Sequence, residues 1–254
     1  SMFGLEKVGD SLFSRVNLTM QKGGVPLVSK TGFGSIEAFE DMFPHDKKGP
    51  ETREIHRREV RVSSIEPKSK TIGNTKITLM RGDIIALNVD AIVNAAKESL
   101  LGGGGVDGAI HEAAGPKLLE ECEKLPYVKD VWGNVRCEVG DAVITGGYNL
   151  PAKHIIHTVG PNVGSREVTD EDRKNLERCY ESCLRVCENN KLKSVAFCCI
   201  SCGVFRFPNG AAADIAHQTT MKYLRSHPET CIENIIFCTF SDEQYRCYEP
   251  FMRA

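Results

Sequence analysis

An aspartate and a histidine four residues apart, Asp107 and His111, follow directly on four consecutive glycines, Gly102 to Gly105. On a helix, that spacing puts both side chains on one face. Asp107 stands where loop turns into helix, so it either caps the helix or faces whatever the loop holds. Upstream lies Asp90-Ala91-Ile92-Val93-Asn94-Ala95-Ala96-Lys97, a short apolar run bounded by polar residues, which predicts a buried strand. Strand, glycine loop and helix start form a device for holding phosphate. Glycine lets backbone amides close on a ligand, and the helix N-terminus adds unpaired N–H groups and partial positive charge.

Two other glycine-loop chemistries fit less well. Gly103, Gly105 and Gly108 have the spacing of the dinucleotide fingerprint, but eight residues separate Asn94 from the first of them. That fingerprint needs a tight turn and an acidic strand end about twenty residues on. Pro126 to Asp130, at that distance, does not read as a strand end. No Gly-Lys-Ser/Thr follows the glycines, which excludes a Walker-type loop.

The elements that must position these residues follow in order. Ile36 to Phe43 predicts a helix ended by Pro44, and Glu59-Val60-Arg61-Val62 predicts a strand. Thr75 to Met80 predicts another, with Glu66 to Asn74 as the loop between. After the glycines, Gly108 to Leu125 predicts a helix bent at Gly115-Pro116. Strands are expected over Asp141 to Thr145, His154 to Val159, Ser194 to Ile200 and Ile232 to Phe240. Helices are expected over 170–189 and 210–226. Long apolar strands alternating with helices predict a mostly parallel sheet covered on both faces. Ligands in such folds lie at the carboxyl ends of the strands. The loop Ser201 to Pro208 also follows a strand, so both loops can reach one crevice. His157, inside a buried strand, is read as packing.

Composition bounds the rest. The chain has 254 residues, 41% hydrophobic and 26% charged, with formal net charge −2. That balance gives no electrostatic case for nucleic acid or a membrane surface, and no apolar run is long enough to span a bilayer. The eleven cysteines show no paired zinc spacing, so no metal site is expected. Cys179, Cys183 and Cys187 share one helix face as a small apolar stripe, and Cys198-Cys199 sit in a predicted strand. Reduced thiols point to an intracellular, reducing location, cytoplasm or nucleus. Ser11 to Ser35 lacks acidic residues and carries Arg15, Lys22 and Lys30, which leaves a mitochondrion open. The expected division is an extension over 1–57, partly ordered against the domain, and a domain over 58–254.

From Lys76 to Phe240 the chain resembles a macrodomain of the MacroD type, the family that binds ADP-ribose and hydrolyses mono-ADP-ribosyl esters. The resemblance is carried by Gly82-Asp83-Ile84, Asp90 to Ala96, Leu101 to His111, Gly146 to Ala152, His154 to Pro161 and Ile200 to Pro208. The extension resembles that of protozoan-parasite members. The resemblance implies a three-layer α/β/α fold with a mixed, mostly parallel sheet and an ADP-ribose cleft between the loops. Asp83 would accept from the adenine amino group with Ile84 beside it; the competing role is a turn aspartate. Phe240 would stack on adenine or belong to the core. Asn94 and Ala95 would line the ligand, Gly103, Gly104, Gly105 and Val106 would wrap the proximal phosphate and ribose, and Ser201, Cys202, Gly203, Val204 and Phe205 would hold the pyrophosphate by backbone N–H groups. Asp107 would activate water unless the ligand's own phosphate does so. His111 would lie near the reacting ribose or serve the structure alone. Lys97 joins this catalytic group as a departure, because the family's hydrolases usually carry Asn there. Arg206, where animal members commonly have a small residue, would narrow the cleft or contact substrate.

The implied activity is hydrolysis of mono-ADP-ribose from acidic residues of proteins, and deacetylation of O-acetyl-ADP-ribose, by a monomer needing no cofactor. The implied partners are ADP-ribose and ADP-ribosylated proteins, with no membrane and no specific nucleic acid. The alternative is a reader that binds ADP-ribose without cleaving it: Asp107 favours the enzyme, Lys97 the reader.

Overall fold

A computed structural model of the chain describes residues 16–20, 26–30, 65–129 and 134–253. The chain divides into two compact units, one spanning Arg15–Ile65 and the other holding Glu66 onward. In the first, β1 (Val16–Met20) and β2 (Pro26–Lys30) pair antiparallel, with Val16 opposite Lys30. The helix expected over Ile36 to Phe43 and the strand over Glu59 to Val62 lie outside the described residues.

The second unit is built on a seven-stranded sheet. Its strands are β3 (Lys68–Ile72), β4 (Thr75–Arg81), β5 (Ala91–Ala95), β6 (Ala142–Gly146), β7 (His154–Thr158), β8 (Ser194–Phe197) and β9 (Asn234–Thr239). They lie in the order β3-β4-β9-β8-β5-β7-β6. The five central strands are parallel and the two edge strands antiparallel to their neighbours. Consecutive residues of β8 and β9, from Val195 to Phe197 and from Ile235 to Phe237, are buried, so both faces of the sheet are covered. This is the expected α/β/α architecture.

Helices α1 (Gly105–Ala114), α2 (Pro116–Lys124), α3 (Asp170–Asn189), α4 (Asn209–Ser226) and α5 (Asp242–Tyr248) supply the cover. In α3, Leu176, Cys179, Tyr180, Cys183, Leu184 and Cys187 form one buried stripe at helical spacing. Burial pushes the Cys179 thiol up to about 11, so these sulfurs pack as small apolar groups. Thr169 and Asp172 close a capping box at the start of α3. The Arg166 guanidinium beside Asp172 holds that carboxyl well below the usual range. Tyr180, Phe197, Phe237 and Tyr248 then stack in a column with centroids 5.1, 6.1 and 5.1 Å apart, joining α3, β8, β9 and α5.

Three expectations need correction, and one further helix is added. Glu66 to Asn74 is not a loop: Lys68–Ile72 is an edge strand, polar because most of it faces water. The bent helix Gly108 to Leu125 is two helices, parted at Gly115, whose φ of +83° ends α1 before Pro116 starts α2. The eighth strand stops at Phe197, which leaves Cys198 and Cys199 in the loop that follows. Helix α5 was not anticipated at all, although its box, Ser241 with Gln244, is written in the sequence.

Candidate active site

The carboxyl ends of the parallel strands converge on one edge, and the expected site residues collect there. At the centre, β5 carries Asn94 and the first turn of α1 carries Asp107, both buried. The N-cap of α1 is Gly104, with no side-chain cap bond. Asp107, third in the helix, is therefore not a cap and is free to face the site. Asn94 Nδ2 donates to Asp107 Oδ1 at 2.7 Å, while Asp107 Oδ2 is buried without a hydrogen-bond partner. His111, one turn on, brings Nε2 to 3.6 Å from Asp107 Oδ1, beyond hydrogen-bond range, and that nitrogen too is unpartnered. Burying polar atoms without partners costs about 1–3 kcal/mol each. Three such atoms in one place, with Asn94 Oδ1 as the third, make this the polar centre of the crevice, open to water or a polar ligand.

The two loops flank this cluster. The first runs from Lys97 to Gly104 into α1, whose first-turn N–H groups have no partner within the helix. The second follows β8. Ser201 and Arg206 hold φ values of +64° and +56°, strained for residues with side chains. Phe205 O accepts from Val163 N and Gly164 N at 2.9 and 3.1 Å, which pins the loop to the segment after β7. Among the described residues, the N–H groups of Gly203, Val204 and Phe205 reach no protein acceptor. Gly160, after β7, makes this approach possible: a Cβ there would sit 2.0 Å from Ser201 Oγ.

Two sheet steps from β8, the end of β4 meets the end of β9. Arg81 pairs with Thr239, and Gly82 N donates to Thr239 O at 2.9 Å, so Asp83 and Phe240 emerge side by side. Asp83 Oδ1 accepts from Ile85 N at 3.2 Å at the head of the short 3-10 turn Ile84–Ala86. It is thus a turn aspartate with its second oxygen still available. Ile84 is buried. Phe240 is 79% exposed, which rules out the core as its place. Its N–H donates to Gln244 Oε1 at 3.1 Å, so the cap of α5 fixes the ring's base. Three strand spacings, about 14 Å, separate the end of β4, which leads to Asp83, from the end of β5, which carries Asn94.

Comparison with known proteins agrees with this geometry. The family model described as Macro domain matches residues 93–216. Macro domain-containing protein XAC3343 of Xanthomonas axonopodis pv. citri is 46% identical over 174 residues, which cover 68% of this chain and 93% of that protein. The chain belongs to the Macro domain family. The macrodomain is also 48% identical over 187 residues to ADP-ribose glycohydrolase MACROD2 of Mus musculus, covering 73% of this chain but only 37% of that protein. Among solved structures it resembles the Oceanobacillus iheyensis macrodomain with ADP (TM-score 0.66, 37% identity, 73% of this chain, 94% of that one). It likewise resembles the Trypanosoma brucei macrodomain in complex with ADP-ribose (TM-score 0.60, 42% identity, 70% of this chain, 69% of that one).

Two features of this macrodomain's site were hidden in the sequence. A Cβ on Gly103 would lie 3.0 Å from Lys97 Nζ and 3.1 Å from Asp107 Oδ2, so those two atoms are no more than about 6 Å apart. Lys97 therefore leans over the glycine loop toward the acid. His157 is not mere packing: fully buried in β7, it binds Asn94 through Nδ1 at 3.0 Å and Thr145 through Nε2 at 2.9 Å. Burial, and then the nearby His111, push its imidazole down to about 3. A buried histidine between two strands is a visible signal, but pairing partners 12 and 63 residues away are not.

Proposed function

We propose that this macrodomain hydrolyses the ester joining ADP-ribose to an aspartate or glutamate of a modified protein. Water adds, free ADP-ribose leaves with the hydroxyl, and the protein carboxylate is restored. The acetyl ester of ADP-ribose presents the same bond and is proposed as a second substrate. The observation that carries this is the buried, half-satisfied carboxylate of Asp107: Asn94 holds Oδ1, leaving Oδ2 to accept a proton from water. His111 lies beside it as a second polar wall for the reacting ribose.

In this proposal, Phe240 stacks on adenine and Asp83 accepts from its amino group, with Ile84 behind. The Ser201 to Phe205 loop holds the pyrophosphate by backbone amides. Gly103 to Val106 and the start of α1 hold the proximal phosphate and ribose, with Asn94 and Ala95 below. Amides and a helix dipole can neutralise a pyrophosphate without lysine or arginine, in keeping with a net charge of −2.

Lys97 supports a second reading, a reader that binds and does not cleave, because its ammonium only donates and adds attraction for a bound pyrophosphate. Asp107→Ala separates the two. Turnover of a glutamate-linked ADP-ribosyl protein should fall about a hundredfold or more, with ADP-ribose binding by calorimetry retained. Equal turnover in parent and variant would remove Asp107 from the chemistry.

A further inference from the structure

We propose that His157 is a positioning residue, whose neutral imidazole turns the Asn94 amide so that it grips Asp107 by one oxygen and leaves the other for substrate. This rests on the hydrolase reading above. The geometry runs outward from the acid. Ionised, Asp107 only accepts, so the Asn94 atom 2.7 Å from its Oδ1 must be the amide nitrogen. That same nitrogen lies 3.0 Å from His157 Nδ1, so Nδ1 must accept as well. The ring proton is then on Nε2, where it donates to Thr145 Oγ1 at 2.9 Å. The Thr145 hydroxyl donates onward to Gly146 O at 3.4 Å.

Donation therefore runs outward from the Asn94 amide on β5, on one side to Asp107 on α1 and on the other through His157 on β7 to Thr145 and Gly146 at the end of β6. Reversing the Asn94 amide would set its carbonyl oxygen against the Asp107 carboxylate. Protonating His157 would set N–H against N–H. The titratable groups facing the ring are His111, with centroids 6.2 Å apart, and Asp107 through Asn94, both on α1; Asn94 and Thr145, from β5 and β6, do not titrate. With the amide so fixed, Asn94 Oδ1 and Asp107 Oδ2 are the two buried acceptors left open. They are the atoms a ribose hydroxyl and a water would need.

Two substitutions divide the ring's two ends. In His157→Asn the short amide oxygen takes the place of Nδ1 and keeps the bond to Asn94, while the Thr145 anchor is lost. In His157→Gln the longer amide reaches Thr145 and the bond to Asn94 is lost. The proposal expects activity and stability to rank oppositely. His157→Gln should melt higher, yet lose about tenfold to a hundredfold in kcat with ADP-ribose affinity nearly unchanged. His157→Asn should melt lower and keep most of kcat. Activity that follows stability, or kcat unchanged in both, would overturn it. Nitrogen-15 shifts of the His157 ring give a test independent of turnover, and so of the hydrolase reading: a neutral ring protonated on Nε2 from neutral pH to about pH 5 is expected. A Nδ1–H tautomer, or a charged ring in that range, would sink the proposal even if the parent cleaves.

Discussion

Lys97 Nζ and Asp107 Oδ2 face each other across a space with no bond in it. The ammonium and the open carboxylate oxygen both flank the position where Gly103 would carry a side chain. A positive charge there attracts a bound pyrophosphate at long range, and salt screens that attraction within about 10 Å at 0.1 M. Lys97→Asn should therefore weaken ADP-ribose binding at low salt and barely change it at high salt, while turnover changes at both. Calorimetry and turnover at two ionic strengths check this; equal shifts in binding at both salts would place Lys97 in direct contact with the ligand. His157 adds a pH dependence. Its folded value is depressed to about 3, so above the unfolded value of about 6.5 it is neutral in both states. As pH falls below that, the unfolded chain takes up a proton that the native site refuses. Stability should then drop by about 1.4 kcal/mol per pH unit until the folded value is reached. Half-buried His217, lowered by burial and Lys70, adds in the same direction. Denaturant titrations from neutral pH to about pH 4.5 should show a shallower loss in His157→Asn than in the parent; parallel curves would assign the acid sensitivity elsewhere. Asp107, His111 and the glycines were legible because they lie close together in sequence. His157 was legible only as buried, since its meaning comes from Asn94 and Thr145 on neighbouring strands.

At the scale of elements, the second loop depends on a glycine outside it. Gly160→Ala would drive a methyl into Ser201 and Ile200. Those two side chains must give way, and the expected outcome is a shift of the loop they anchor, with the amides of Gly203, Val204 and Phe205. ADP-ribose affinity should fall at least about tenfold, near 1.4 kcal/mol, with about 1–3 kcal/mol of stability lost to overpacking. Binding at parental strength would show that the loop holds no phosphate. Helix α5 makes a similar point in a different way. Its capping box ties down Phe240 through Gln244, so an aromatic 79% exposed keeps a fixed base. Phe240 looked ambiguous in sequence because a strand-ending phenylalanine suits a core equally well. The strand β3 looked like loop because an edge strand needs no apolar face.

Across the whole molecule, the parallel strands were readable because they are buried on both sides and so form continuous apolar runs. Strand order was not readable, and it is what builds the site. Placing β9 and β8 between β4 and β5 sets Asp83 and its neighbour Phe240 apart from Asn94 and Asp107 while keeping all four at the carboxyl ends of the parallel strands. We propose residues 1–57 as an N-terminal extension to the domain over 58–254. On the function proposed above, the half-bound carboxylate at Asp107 makes this macrodomain a hydrolase. The most direct test is incubation of the parent protein with a glutamate-linked mono-ADP-ribosylated protein, the released species being identified by mass. Release of free ADP-ribose, with the unmodified protein recovered, is the predicted result. Tight ADP-ribose binding with no release, and release appearing only in Lys97→Asn, would contradict it and make the natural chain a reader.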